Sequence, residues 1–479
     1  ANLGSGFNTG EASTFCRELF LQGGMAADEP AAKRPKTDGS ADDTVLSADS
    51  VAAAVREEVS NAEVIDVHTH LLPPSHGRLM LWGIDELLTY HYLVSEYFMV
   101  APASMTHEAF FALGKAEQAE HVWQGLFIER SPISEACQGV LTTLQRLGLG
   151  DLMERRDLAG IRAWFAAQDP AEHCERIFHL AKVRYAVMTN IPYVPAEAEH
   201  WRAEPATPIT PRLRSALRID TFIKGDWAGI CSALKESGRE QSLEGAKQYL
   251  RDWAAVMRPE YLMASTPHDW CYPEPGTPAP GPPGGGAKPL VQAYRKPTAS
   301  LLMEEVVAPV CEELGLALAL KLGAFRGMAP ELDPCCGGDG VARSDVGSLQ
   351  RLCARFPRVK FLATVLSRVD QHEMTVITQK TRNLHLYGCW WYCNNPSIIE
   401  ELTRMRVELL GTAFTAQHSD CRVLEQLLYK WTHSRAVIAE ALAPYYARLV
   451  RVGWRLTRGE LRRDVQALLG GSYEEFLAR

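Results

Sequence analysis

Residues 64–70 read Val-Ile-Asp-Val-His-Thr-His, a short apolar run that ends in two histidines. The apolar start predicts a buried β-strand. Because side chains alternate along a strand, His68 and His70 are predicted to point to the same side. Two imidazoles held side by side are a good start for a divalent metal site. The alternative is that the two histidines lie incidentally on a solvated strand end.

Seven further stretches downstream share the apolar character of this first run. They begin at Tyr185, Leu217, Tyr261, Leu316, Val359, Leu384 and Leu409. Many are separated by stretches with helical periodicity, such as 171–183, 243–256 and 301–313. Strands that alternate with helices imply a parallel sheet, and eight such units predict an α/β fold of the (β/α)8 TIM-barrel type. Active sites of such barrels lie at the C-terminal strand ends, where the two histidines fall.

Other segments depart from an ideal barrel. Residues 1–60 contain few large apolar residues with any period, so we predict a disordered N-terminal tail before a barrel over residues 61–479. Residues 84–180 read as a largely helical insertion after the first strand, and residues 436–479 as C-terminal helices. Residues 273–286 are rich in proline and glycine, which predicts an exposed loop.

Composition restricts the partners and the compartment. The chain has 479 residues, 46% of them hydrophobic, and a formal net charge of -8, which gives no reason to expect a nucleic-acid partner. No apolar run approaches the ~20 residues of a membrane span, and no signal peptide is evident. The twelve cysteines are scattered and do not read as a disulfide framework. We therefore expect a cytoplasmic protein, with Met25 as a second candidate start.

Residues 415–422 read Thr-Ala-Gln-His-Ser-Asp-Cys-Arg and follow the last predicted strand. Two neutral imidazoles alone hold a metal weakly, so a stable metal site would need a carboxylate from another strand. Asp420 is the candidate. Such a carboxylate can bind metal, act as a general base, or do both in turn. The alternative for Asp420 is a helix N-cap. In combination with His68 and His70 we favour a site for a divalent metal, zinc first and manganese second.

The order of Asp-x-His-x-His at the first strand and Asp at the last resembles the metal-site pattern of the amidohydrolase superfamily. Further short motifs are similar to those of its uronate isomerase branch. They are Ser-Asp-Cys-Arg at 419–422, Cys-Trp-Trp-Tyr-Cys-Asn at 389–394, Gly-Ala-Phe-Arg at 323–326, Leu-Arg-Ile-Asp at 217–220, Leu-Ser-Arg at 366–368 and His-Tyr at 91–92. These matches run in order from about residue 62 to 435 and so cover most of the predicted ordered chain.

The resemblance implies an aldose–ketose isomerase that converts an open-chain hexuronic acid, D-glucuronate or D-galacturonate, to its 2-keto form through an enediol. The metal held by His68, His70 and Asp420 would polarise the substrate oxygens. Asp420 is the first candidate for the proton-moving base, and Tyr92 for its hydroxyl partner. Substrate-binding groups are implied at Arg218, Arg326, Arg368, Arg422, Trp390 and Trp391. The expected partner is a small sugar acid, with no nucleic acid or membrane, and with self-association into a homo-oligomer left open.

One position departs from the family pattern, which has a histidine where this chain has Lys321. A protonated lysine is no metal ligand, and it would repel a divalent cation. Lys321 could be deprotonated by burial beside the metal, it could replace part of the metal's role with an ammonium near the substrate oxygens, or the site could be impaired. We favour the second interpretation, which places Lys321 among the catalytic candidates.

Two other functions are compatible with these residues. The two histidines and the aspartate suit activation of a metal-bound water equally well, as in a metal-dependent hydrolase or decarboxylase of the same superfamily. The lysine substitution is also compatible with a non-catalytic barrel that carries a degenerate site. The arginine set and the tryptophan pair favour the isomerase.

Overall fold

The strands are short, mostly parallel and spread along the whole ordered chain. The computed structural model describes residues 41–191, 194–203, 210–276 and 297–479. Its strands are β1 (Val64–Asp66), β2 (Val183–Val187), β3 (Leu213–Arg214), β4 (Leu217–Arg218), β5 (Tyr261–Pro267), β6 (Ala317–Phe325), β7 (Gly340–Val341), β8 (Phe361–Val365) and β9 (Leu384–Leu386). Seven of the eight predicted strand positions are therefore confirmed.

Hydrogen-bond register orders these strands into two sheets. The first has the order β1-β2-β3, and the second has the order β4-β5-β6-β8-β9, with the short β7 antiparallel to the end of β6. A parallel bridge between Asn190 and Leu217 joins the two sheets. Parallel neighbours connected through helices are the arrangement of a TIM-barrel-like α/β fold, as the sequence predicts.

The predicted strand Leu409–Thr412 is wrong. Its first residues end the helix Pro396–Leu410, which Gly411 terminates in a left-handed conformation with φ 62°. A short apolar run can equally be buried helix, and here Asn395 caps a helix that begins at a proline. The segment that lies beside β9 begins later, with a parallel bridge between Thr415 and Tyr387.

That later segment also reaches the first strand. The amide of Asp420 donates to the carbonyl of His68 at 3.2 Å, and the amide of His70 donates to the carbonyl of Cys421 at 2.6 Å. The last strand-like segment of the chain therefore lies directly against the residues that follow β1.

Helices surround the strands and form the insertion. Before β1 lies α1 (Val51–Asn61). The insertion consists of α2 (Ile84–Leu88), α3 (His91–Phe98), α4 (His107–Ala112), α5 (Lys115–Trp123), α6 (Glu135–Arg146), α7 (Gly150–Glu154), α8 (Leu158–Ala166) and α9 (Pro170–Ala181). Between the later strands lie α10 (Pro195–Ala203), α11 (Asp220–Ile223), α12 (Trp227–Glu236), α13 (Leu243–Met257), α14 (Ala299–Leu302), α15 (Ala308–Leu314), α16 (Val346–Arg355) and α17 (Gln371–Lys380). The chain continues with α18 (Pro396–Leu410), α19 (Gln426–Arg451), α20 (Arg458–Gln466) and α21 (Ser472–Ala478). No described helix is both long and apolar enough to cross a membrane.

The predicted tail boundary at residue 60 is wrong for residues 51–60, which belong to α1. Val51, Val55 and Val59 form an apolar stripe at helical spacing, and all three are fully buried. Alanines lie between the first two valines and charged residues between the last two, so the composition of the segment does not reveal the stripe. Residues 1–40 lie outside the described residues, as do residues 277–286 of the predicted Pro/Gly loop.

The alternation of side chains along β6 positions the site. Leu318, Leu320 and Leu322 pack outward into the core shared with the helices, whereas Ala317 and Ala319 face the interior between the strands. The next inward position is Lys321, which pairs in register with Ser265 on β5 and Thr364 on β8. The strand pattern thus carries a lysine into the interior, where it is 2% exposed.

Candidate active site

The three predicted metal ligands converge. The Nε2 atom of His68 lies 3.1 Å from Asp420 Oδ1, and the Nε2 atom of His70 lies 3.6 Å from the same oxygen. Ligand atoms of all three residues lie within 4.8 Å of one another. The geometric prediction from the first and last strands is therefore confirmed.

Asp66 fixes the position of Asp420 relative to the histidines. Its Oδ1 accepts a hydrogen bond from the Ser419 amide at 3.0 Å, and its Oδ2 accepts one from the Trp431 indole at 2.9 Å. Burial raises the pKa of this carboxyl to about 6, against the opposing effect of these donors. Sequence reasoning used Asp66 only as part of a motif, because its two donors lie more than 350 residues away.

Lys321 is in direct contact with two of the three metal-ligand candidates. Its Nζ atom lies 2.6 Å from His68 Nε2 and 2.8 Å from Asp420 Oδ1, and 4.7 Å from the centroid of the Trp390 ring. Burial lowers the pKa of Lys321 to about 8, and the Asp420 charge opposes that shift. The lysine therefore stays mostly protonated at neutral pH.

The surrounding groups take complementary charge states. Burial, reinforced by the Lys321 charge, lowers the pKa of His68 to about 3, and burial also lowers the pKa of His70 to about 3. Burial alone would raise the pKa of Asp420, but the Lys321 charge and the close contacts with both histidines hold it well below its usual value. The site at neutral pH thus combines two neutral imidazoles, a carboxylate and an ammonium.

His68, His70 and Asp420 provide suitable donor atoms for a metal ion, but one of these donor atoms is already engaged by Lys321. Two imidazole nitrogens and a carboxylate oxygen form a donor set that suits zinc or manganese. A neutral imidazole nitrogen, however, has a single lone pair, and that of His68 Nε2 is directed to Lys321. As arranged, the cluster does not fit a divalent cation unless Lys321 moves away from His68.

A cavity of about 280 Å³ opens over the cluster. It is lined by His70, Tyr90, His91, Arg218, Ser265, Lys321, Arg326, Asp333, Cys336, Gly338, Asp339, Trp390, Trp391, Asp420 and Arg422. The volume lies near the lower end of the range of about 300–1,000 Å³ that is typical of ligand pockets. A single small polar molecule is the size of ligand that it suits.

The four predicted arginines differ in position and pairing. Arg218 and Arg326 line the cavity, but each is ion-paired, Arg218 with Asp220 at 2.5 Å and Arg326 with Asp339. Arg422 also lines the cavity, and no carboxylate partner for it occurs among the described residues. The structure does not bring Arg368 to the cavity, because its side chain is 60% exposed and paired with Glu401 at 2.8 Å.

The predicted tryptophan pair forms one wall of the cavity. Trp390 is 2% exposed and presents its ring to Lys321. Trp391 has a left-handed backbone conformation with φ 48° and stacks on Tyr392, with ring centroids 4.8 Å apart. Two broad rings thus shield the buried charges from bulk water.

Tyr92 is not among the residues that line the cavity. Its ring lies 5.2 Å from that of Tyr90 and 4.3 Å from that of His91, and both of these neighbours line the cavity. Burial raises the pKa of both tyrosine hydroxyls above their usual range, and the Asp420 charge adds to each shift. Both hydroxyls are therefore protonated and lie within the field of Asp420.

Sequence reasoning missed the part of the cavity that follows β6. Asp333, Cys336, Gly338 and Asp339 lie on the connection between β6 and β7, where Asp339 binds both the Arg326 guanidinium and the Gly327 amide. The run Gly-Gly-Asp-Gly at residues 337–340 is a turn signal after a predicted strand, and could have identified this connection as part of the site.

Solved structures of other proteins share this fold over most of its length. A uronate isomerase from Bacillus halodurans C-125 is 37% identical, with a TM-score of 0.81 over 91% of this chain and 98% of that one. A uronate isomerase from Thermotoga maritima is 15% identical, with a TM-score of 0.68 over 90% and 98% of the two chains. A glucuronate isomerase from Caulobacter crescentus is 15% identical, with a TM-score of 0.64 over 90% and 95%. No protein-family model matches the chain, and no curated protein sequence matches it.

Proposed function

The chain belongs to the uronate isomerase family, and from this premise we propose that its cavity binds an open-chain hexuronic acid and interconverts the aldose and 2-keto forms. The observation that carries the proposal is the convergence of the Asp420 carboxylate, the Lys321 ammonium and the Arg422 guanidinium in one small cavity. Arg422 forms no ion pair with a carboxylate among the described residues. A carboxylate base, a fixed cation and such a guanidinium match the three demands of this reaction. We propose D-glucuronate or D-galacturonate as the substrate.

The reaction moves two protons and leaves the atom and electron count of the sugar unchanged. A base removes the hydrogen on C2 while the C1 carbonyl oxygen gains a proton, which gives a cis-enediol. The base then returns its proton to C1 while the C2 hydroxyl gives up its proton, which gives the C2 ketone. The site must therefore hold one base near C1 and C2 and one proton donor near the two oxygens.

Asp420 is the group that we assign to the carbon-bound proton. The low pKa of its carboxyl keeps it ionised, and its backbone, at φ 55°, directs the side chain toward both histidines. The hydrogen bond that the Ser419 amide donates to Asp66 holds this turn in place. A weak base that is held rigidly close to the reacting carbons can still remove a proton, because its position lowers the activation barrier.

Lys321 supplies positive charge where the oxygens of the enediol gain negative charge. An ammonium that is already oriented by His68 and Asp420 needs no reorganisation during the reaction, and its effect is large because the site is buried. The Trp390 face against the ammonium keeps water from competing for it.

The proton that passes between the two substrate oxygens needs a hydroxyl group. We propose Tyr92 for this role, as the family motif implies, with Tyr90 as the neighbouring hydroxyl on the cavity wall. Both hydroxyls are protonated at neutral pH, so either can donate to a carbonyl oxygen before it accepts a proton back.

Arg422 is the group that we assign to the substrate carboxylate. A planar guanidinium without a protein carboxylate partner can form a bidentate pair with an acidic sugar. Arg218 and Arg326, whose charges are already matched by Asp220 and Asp339, are left to recognise sugar hydroxyl groups. Trp390 and Trp391 provide the apolar wall along the carbon chain. Arg368, which the family motif also implies, would need to move from the surface to take part.

No step of the proposed reaction passes through a metal. The donor atoms of His68, His70 and Asp420 are of the kind that zinc or manganese binds, but the lone pair of His68 Nε2 is directed to Lys321. The eleven described cysteines are free thiols, which suits the reducing cytoplasm that we propose as the location.

The test is direct conversion of sugar acids by the purified chain. The protein is incubated with D-glucuronate and with D-galacturonate, and the ketose is quantified by chromatography and by proton exchange at C2 in deuterated water. We expect ketose from at least one of the two acids, and none with the Asp420→Asn variant. Folded protein that forms no ketose with or without added zinc or manganese would count against the proposal.

A further inference from the structure

The contacts of Lys321 define a site that a single cation occupies. Its Nζ atom lies within 2.8 Å of one nitrogen and one oxygen that belong to the group of three metal-ligand candidates. The distances are those of hydrogen bonds and not of a lysine that merely lies nearby. Asp420 is the only carboxylate in contact with this lysine among the described residues.

The hydrogen bonds of His68 show which of its nitrogens is available. Thr189 Oγ1 donates to the Thr69 carbonyl at 2.9 Å and lies 3.5 Å from His68 Nδ1. This hydroxyl can therefore accept a hydrogen from Nδ1, which leaves the lone pair of the neutral ring on Nε2. That lone pair is the one that Lys321 uses, so Lys321 and a divalent ion exclude each other at His68.

Charge balance favours the lysine. One ammonium against one carboxylate is a neutral pair, which burial tolerates when both partners are hydrogen-bonded. A divalent ion added beside the ammonium would leave two cations facing the single carboxylate of Asp420 in a buried site. Lys321 is 2% exposed on β6, which lies between β5 and β8, and its contacts with His68 and Asp420 hold the ammonium at the cluster.

The ammonium also has a hydrogen-bond donor to spare. Of its three N–H groups, one donates to His68 and one donates to Asp420. Because Lys321 lines the cavity, the third N–H group is available to a ligand. We propose that the Lys321 ammonium takes the place of a divalent cation in this chain, so that it binds the oxygens of the sugar acid without a bound metal. This inference rests on the proposed isomerase function for its catalytic part only.

The first measurement is the metal content of the full-length protein together with its turnover of uronate. We expect well under one zinc or manganese ion per chain, and turnover that is unchanged by a chelator and by added zinc or manganese. One tightly bound ion per chain, whose removal abolishes turnover, would overturn the inference.

The second measurement uses variants and zinc affinity, so it does not depend on activity. Lys321→Met removes the ammonium at similar volume, and we expect it to bind zinc more tightly than the wild type because the lone pair of His68 is free. Lys321→His adds an imidazole at the same place and should bind zinc more tightly still. Lys430→Met is the matched control, because Lys430 is also buried but its Nζ contacts the Asn394 carbonyl, 3.4 Å away, and not the cluster.

The variants also separate this inference from the proposed function. Zinc affinity is measured by competition with a chromophoric chelator on samples shown to be folded by circular dichroism. Equal zinc affinity in the wild type and in folded Lys321→Met and Lys321→His would overturn the inference. Absence of uronate turnover in the wild type would instead contradict the proposed function, while the zinc comparison would still decide what Lys321 replaces.

Discussion

Asp66 Oδ1 accepts the amide hydrogen of Ser419 at 3.0 Å, across 353 residues of sequence. The same carboxylate accepts the indole hydrogen of Trp431 from α19. The segment after β1 that carries the two histidines and the turn that carries Asp420 are therefore held together by one buried side chain. This contact also supports the left-handed backbone of Asp420, a conformation that costs on the order of 1–3 kcal/mol in non-glycine residues.

Asp66→Asn should impair catalysis by loosening the turn. An amide keeps the shape but offers one acceptor oxygen where two donors need partners, so we expect kcat to fall about 10- to 100-fold with KM little changed. Steady-state kinetics test this. The matched control is Asp370→Asn, since Asp370 is also buried and accepts a backbone amide, from Ser344 at 2.8 Å, outside the site. An equal loss of kcat in both variants would reduce the Asp66 effect to general destabilisation.

Asp420→Asn should abolish most of the proton transfer while preserving the shape of the site. Removing a positioned acid–base group typically costs about 10²–10⁴-fold, so we expect kcat to fall within that range. Exchange of the C2 hydrogen, followed by NMR in deuterated water, reports the same step independently of product release. Unchanged kcat and exchange would exclude Asp420 as the base.

Tyr92→Phe should lower kcat, because it removes a hydroxyl that passes a proton between the substrate oxygens. We expect a loss of about 10²-fold or more, with little change in KM. Tyr90→Phe removes the neighbouring hydroxyl, which lines the cavity, and should act mainly on KM. If Tyr90→Phe lost kcat and Tyr92→Phe did not, the proton-passing role would belong to Tyr90.

Arg422→Lys should weaken substrate binding, because a lysine cannot form the bidentate pair with a carboxylate. The loss of one charge-assisted hydrogen bond of about 1.5–3 kcal/mol corresponds to a KM roughly 10- to 100-fold higher. Arg368→Lys is the informative comparison, because the family motif implies Arg368 while the structure pairs it with Glu401 on the surface. A rise in KM for Arg368→Lys would show that the surface arginine reaches the substrate.

Stability should fall in mild acid because of histidines that are buried in the neutral form. Burial, with a contribution from the Arg479 charge, lowers the pKa of His385 to about 3, and the ring bonds to Thr415 at 2.9 Å and stacks on Phe476. The unfolded chain takes up this proton near the ordinary pKa of about 6.5, so the contribution is complete above that pH and is lost as pH falls toward 3.

The measurement is the free energy of unfolding in urea as a function of pH. His385→Gln should reduce its slope below about pH 6.5 by up to roughly 1.4 kcal/mol per pH unit, since one fewer proton is taken up on unfolding. His372→Gln, which alters an exposed histidine on α17, is the control for replacing a histidine at a site without such burial. An unchanged slope for His385→Gln would show that this ring does not control the pH dependence.

The sequence alone was enough to predict the parallel α/β architecture and the meeting of His68, His70 and Asp420. Both follow from local rules, because apolar runs mark buried strands and C-terminal strand ends collect at one face. The same rules failed at Leu409–Thr412, because a run of four residues is too short to show whether it ends a helix or forms a strand. They also failed at α1, where three alanines and then the charged residues 56–58 separate the buried valines.

Only the tertiary structure decided what each charged group of the site does. Arg218, Arg326, Arg368 and Arg422 are alike in sequence, yet three are matched by carboxylates and Arg422 is left to the cavity. The sequence shows Lys321 as a substitution, but its contacts are with His68, 253 residues away, and with Asp420, 99 residues away. The physical reason is that the periodicity of a strand depends on a few consecutive residues. The charge balance of a buried site depends instead on which distant side chains share its small volume.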